Sequence, residues 1–72
     1  MIWRDLVWEY VCRLADPEEY FNIQELSKYY DEMAERKPGN AFVSQKVRQQ
    51  LQILRDRGFV QFVAPGSYKR LR

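Results

Sequence analysis

The chain has 72 residues, 46% of them hydrophobic and 15% aromatic, too rich in core-forming side chains to be disordered and too short for a second domain, so residues 1–72 read as one folded unit. It carries no histidine and one cysteine, Cys12, which excludes an internal disulfide, Ser-His-Asp and Cys-His catalysis, and histidine-bound metals. Its net charge of +2 hides a division: residues 1–35 hold nine acids against Arg4, Arg13 and Lys28, whereas residues 36–72 hold nine bases against Asp56 alone.

Such a basic half points to a polyanion as its partner, unless the two halves simply pair with each other. There is neither a signal peptide nor an apolar run long enough for a bilayer, so no membrane role is expected and a reducing, cytoplasmic setting is.

In chain order, Trp3, Leu6, Val7, Tyr10 and Leu14 recur at helical spacing and predict a first helix over residues 2–14. Trp8 falls off this stripe and is a candidate for contact with another domain or subunit. Cys12 reads as a small buried residue of the helix. Asp16-Pro17 stops the helix, because the residue before proline is pushed out of the helical region. Tyr20-Phe21 is a short extended pair that could add a third strand to a sheet. Asn22 and Glu25 have the spacing of a capping box, opening a second helix whose buried stripe is Ile23, Leu26, Tyr30 and Met33.

Residues 35–40 are polar and contain Pro38 and Gly39, so the chain turns there. A third helix follows, which Asn40 or Ser44 could cap, with Val43, Val47, Leu51 and Leu54 on its apolar side. It ends at Arg57, with Gly58 supplying the left-handed terminating residue. Phe59 to Val63 is β-branched and aromatic, Pro65-Gly66 suits a type II turn, and the chain resumes an extended pattern from Tyr68. Trp3, Phe21, Phe42, Phe59, Phe62 and Tyr68 are expected in the core. The architecture is α+β: a winged helix-turn-helix with three helices and a C-terminal β-hairpin as the wing.

No catalytic residue, metal ligand or cofactor-binding motif emerges. Asp31 with Glu35-Arg36-Lys37 has the outline of a metal-dependent nuclease motif, but its spacing is too short and it falls at a helix end. The three glycines are isolated and build no phosphate-binding loop. The chemistry left is recognition. The polar side of the third helix carries Gln45, Arg48, Gln49 and Gln52, with Ser44 and Lys46 near its start; arginine suits guanine O6 and N7, and glutamine suits adenine N6 and N7. Lys69 and Arg70 make the hairpin basic, as expected of a wing that grips phosphates. Double-stranded DNA is the expected partner. A free-standing transcriptional regulator and a protein-interaction module remain the alternatives.

The stretch KVRQQLQILRDRGFVQF followed by GSYKR, and FNIQELSKYYDEM upstream, resembles the C-terminal winged-helix domain of the Dam-replacing type II restriction endonucleases, methyl-directed enzymes that act at adenine-methylated GATC sites. The resemblance implies a non-catalytic DNA-binding module that reads sequence and N6-methyladenine, partnered by a nuclease domain in a bacterial or archaeal parent protein. The readers it implies are Ser44, Gln45, Arg48, Gln49 and Gln52 on the helix, with Lys69 and Arg70 in the wing.

Overall fold

The computed structural model describes residues 2–39 and 42–72. Helix α1 spans Trp3–Leu14 and buries Trp3, Leu6, Val7, Tyr10 and Val11 on one side, the three-and-four spacing seen in the sequence. At its end Ala15 is extended, and Asp16 to Glu19 form a turn closed by Glu19 N–H donating to the Asp16 carbonyl at 3.0 Å. Strand β1, Tyr20–Asn22, follows.

Helix α2, Ile23–Ser27, opens on the expected capping box: Glu25 N–H donates to Asn22 Oδ1 at 2.8 Å, and Asn22 N–H to Glu25 Oε1 at 3.1 Å. The second helix foreseen from the sequence is broken, however. A turn at Lys28 and Tyr29 separates α2 from α3, Tyr30–Arg36. At the break Tyr29 leaves helical dihedrals, at φ −98 and ψ 2, which redirects the chain between the two tyrosines. With the break, Tyr29 lies 4.9 Å from the Tyr10 ring and Tyr30 packs against the core elsewhere. The Ser27 hydroxyl also bonds the Gln24 carbonyl at 2.6 Å, a local alternative to continuing the helix.

Helix α4 spans Val43–Asp56 and buries Val47, Leu51 and Leu54. Its N-cap position is Phe42, without a side-chain cap; Ser44 lies inside the first turn rather than capping it, and Asn40 falls outside the described residues. At the other end Phe59 N–H bonds the Leu54 carbonyl and Gly58 N–H bonds that of Arg55, with Gly58 at φ +78, a Schellman motif that turns the chain into the sheet.

Strands β2, Val60–Ala64, and β3, Ser67–Arg70, form the hairpin around Pro65 and Gly66. The sheet order is β1-β3-β2, all antiparallel, so the extended pair near Tyr20 does supply a third strand. Phe21, Val60 and Tyr68 turn to the side covered by helices, while Tyr20, Gln61 and Lys69, mutually in register, turn away. Trp3 and Phe21 are buried and Phe59 and Tyr68 half-buried, as expected, but Phe42 and Phe62 are 67% and 47% exposed. Phe62 lies beyond the helical cover and meets only the edge of Tyr68 among the described rings, at 6.1 Å.

An ionic cluster joins α1 to α3. Arg36 bonds Glu9, Arg13 reaches Glu9 at 3.1 Å and Glu32 at 3.2 Å, and the Tyr10 hydroxyl donates to Glu32. The hydrogen bond from Arg36 is the main reason that the Glu9 carboxyl titrates below its ordinary 4.5, outweighing a desolvation that works in the opposite sense.

Two outcomes follow from these contacts. Gly58 and Gly66 share the left-handed conformation, but a Cβ at Gly66 would sit 3.3 Å from Ile23 Cγ2, against 3.8 Å from a flexible Arg72 guanidinium at Gly58. Both alanine variants should lose roughly 1 kcal/mol from backbone strain, and Gly66→Ala distinctly more, measured by urea unfolding. Because the folded pKa of Glu9 is depressed, its contribution is present above the unfolded value and is lost as pH falls through the folded one. Acidification from about pH 5 to about pH 3 should therefore lower the unfolding midpoint of Glu9→Gln less than that of the parent chain.

Candidate nucleic-acid interface

Residues of α4 that avoid the core form one outward face. With Val47 at the centre of the buried side, Arg48 lies about 100° away, Gln52 about 140°, Gln45 about 160° and Gln49 about 200°, with Ser44 at about 60°. All five are exposed. Lys46, half-buried, occupies the opposite shoulder of the helix, about 100° to the other side of Val47. Asp56 closes the face at the C-terminal end and pairs with its neighbour Arg55 at 3.3 Å. Among the described residues, Arg48 and Lys46 form no ion pair, so their charges are available to a ligand.

The hairpin turn stands beside this face. Arg48 and Gln52 share the lining of a cavity of about 290 Å³ with Ile23, Pro65, Gly66 and Tyr68. Ile23 N–H donates to the Gly66 carbonyl at 2.8 Å, so the turn is fastened to the start of α2 instead of projecting freely. Tyr30 belongs to the same neighbourhood: burial pushes its hydroxyl above the usual 10.0, while the Arg48 charge draws it down. Sequence alone does not single out Ile23, Tyr30, Pro65 and Tyr68 as site residues, because it is tertiary packing, of α3 on α4 for Tyr30 and of the hairpin turn for the others, that brings them to α4.

The two wing cations part company. Lys69 is on the outer face of the sheet, its ammonium 3.0 Å from Glu18 Oε2 and 5.7 Å from the Tyr20 ring. The hydrogen bond to Glu18 is the first cause of its raised pKa, so it stays protonated. Arg70 points to the other face. Its guanidinium donates to the Ala15 carbonyl at 2.8 Å, closing the C-terminal end of α1, and to the Arg72 carbonyl at 3.1 Å, and it lies 5.2 Å over the Trp8 ring. The structure thus gathers the five α4 residues and the turn on one side, sets Lys69 around the sheet from them, and folds Arg70 inward.

A three-helical core with a broken second helix, an outward amide-and-guanidinium helix and a fastened hairpin make a winged helix-turn-helix. The model of the Dam-replacing HTH domain matches residues 3–70. The chain belongs to that family. No curated protein matches it. Membership makes the domain a DNA-binding one, in the setting of restriction endonucleases. Cys12 is half-buried in α1 and desolvation raises its thiol pKa, the opposite of an activated nucleophile. Among the described residues, no group of three carboxylates or cysteines converges to hold a metal ion, and no helix is long and apolar enough to cross a membrane.

Glu18 holds the wing lysine of this family member in an ion pair, and it is the one described residue other than glycine with positive φ, at +72. A phosphate reaching Lys69 must compete with that carboxylate. Glu18→Gln should therefore tighten binding to random-sequence duplex, severalfold at low salt and little at high salt, as measured by fluorescence anisotropy.

Proposed function

We propose that this chain is a single winged-helix module that reads a specific duplex sequence, with N6-methyladenine among its bases, for a nuclease domain of the same restriction endonuclease. The reading rests above all on the exposed set Gln45, Arg48, Gln49 and Gln52 on α4, whose side chains match the hydrogen-bonding edges of adenine and guanine in the major groove. An α-helix fits that groove, and Ser44 and Lys46 flank the readers where backbone phosphates run. Lys69 grips phosphate from the outer face of the sheet. Arg70 supports the wing from within, through its bond to the Ala15 carbonyl. The methyl group requires an apolar neighbour, and Ile23, Pro65 and Tyr68 form such walls beside Arg48 and Gln52. Family membership supports the same reading. The module contributes affinity and site choice; phosphodiester cleavage belongs to the partner domain.

Arg48→Ala and Gln49→Ala should each lower affinity for the preferred duplex by about 1–3 kcal/mol while leaving random-sequence binding nearly unchanged. Lys69→Ala should weaken all duplexes alike and reduce the salt slope by about 0.9. Selection of bound duplexes from a random pool, with and without adenine methylation, supplies the preferred site for these titrations. Equal losses on preferred and random DNA for Arg48→Ala would overturn the base-reading role, and indifference to methylation in the selected pool would overturn the methyladenine role.

A further inference from the structure

The side of the molecule away from the reading face carries a second cavity. It measures about 130 Å³ and is lined by Arg4, Asp5 and Trp8 of α1, Leu54 and Arg57 at the end of α4, and Phe59. On the α4 wheel Leu54 and Arg57 lie about 20° and 80° to the far side of Val47 from Arg48, so this cavity and the base-reading residues occupy different faces. Trp8 and Phe59 meet edge to face at 5.1 Å, and the Arg72 guanidinium lies 5.0 Å over the Phe59 ring. Asp5 offsets Arg4 at 3.7 Å, but among the described residues neither Arg57 nor Arg72 has a carboxylate partner.

We propose that this arginine-rimmed aromatic cavity is a docking site for an acidic protein segment that inserts one apolar side chain between Trp8, Leu54 and Phe59 and lays a carboxylate on Arg57. Three observations select that occupant. The volume is below the roughly 300 Å³ at which pockets begin to hold drug-sized molecules, but it admits one large side chain. Its floor is apolar and aromatic, the composition that anchors protein interfaces. Its unpaired rim charge is positive, so charge complementarity requires acids beside the inserted group. Because the site avoids the reading face, docking leaves α4 open to DNA, and the two bindings are simultaneous. The proposal does not depend on which bases are read.

The test uses the full chain, labelled with nitrogen-15, titrated with a capped hexapeptide in which leucine and phenylalanine are flanked on each side by two acidic residues. Saturable shifts confined to the Trp8 indole, Leu54, Arg57 and Phe59, with Kd below about 1 mM, are expected. They should persist when the chain is saturated with duplex DNA, vanish for the peptide carrying lysines in place of the acids, and weaken at least about tenfold in Arg57→Glu. An unchanged spectral dispersion and duplex titration of Arg57→Glu would show that the variant is folded. Absence of saturable shifts, equal binding of the lysine peptide, retention of affinity in Arg57→Glu, displacement of the peptide by DNA, or concentration-dependent burial of the same residues in a dimer would each overturn the proposal.

Discussion

Strand β3 is the contact on which the rest of the molecule depends. It is the middle strand, bonded to β1 on one side and β2 on the other, and so it joins segments from near the two ends of the chain, Tyr20–Asn22 and Val60–Ala64. The pairing continues past the strand ends through Glu18 N–H to the Arg70 carbonyl at 2.7 Å and Leu71 N–H to that of Phe59 at 2.8 Å. Three side chains or turns of this segment then reach the helices. Tyr68 stacks on Phe21 at 5.5 Å, Arg70 closes α1 at Ala15, and the Gly66 carbonyl takes the first N–H of α2. A hairpin alone would be marginal in water. Fastened in this way, it holds a fixed position relative to α4.

The uneven charge along the chain serves two ends. Some of the basic second half is spent internally, since Arg36 bonds Glu9 and Lys69 bonds Glu18, and those pairs cross from one half of the sequence to the other. Exposed pairs of this kind contribute little stability each, so their effect is mainly on orientation. Mutual pairing does not account for Arg48 and Lys46, which carry no carboxylate among the described residues. Arg57 and Arg72, at the far side of the molecule, are likewise without a carboxylate among the described residues. Acids of α1 and α3 instead gather around Arg13 and Arg36, where they bind the first and third helices together.

What could be read from the sequence was local. The capping box at Asn22, the end of α4 before Gly58 and the turn at Pro65-Gly66 each depend on a few adjacent residues, and each stands where its pattern places it. The outward face of α4 was also legible, because a helix of 14 residues makes the apolar side unambiguous. The break at Lys28-Tyr29 was hidden, since it depends on Tyr10 being available to Tyr29 across the core. Phe42 and Phe62 looked like core on composition, yet how far the helices cover the sheet is a property of packing. Lys69 and Arg70 are the instructive pair. Neighbours on a strand face opposite ways, so the two leave the sheet on different sides. Which of them turned inward was decided by the register of β3 with Tyr20 and Val60.

The arrangement separates affinity from selectivity. The side chains proposed to read bases are three long amides and one guanidinium held at the surface, and among the described residues no side-chain hydrogen bond engages Gln45, Arg48, Gln49 or Gln52. Ordering such chains on binding costs conformational entropy, which base contacts recover only at the correct sequence. Binding strength must then come from phosphate contacts, and a single module of this kind buries only about 600–1,000 Å² of its own surface on a duplex. One cation near the readers, one on the opposite shoulder and one shared with Glu18 are few for that purpose. A module so built gains most from being tethered, because a linked partner on the same DNA raises its effective concentration without adding a contact. On the proposed reading selectivity resides in α4 and residence time is set by the assembly, a division that requires a second surface pointing away from the groove.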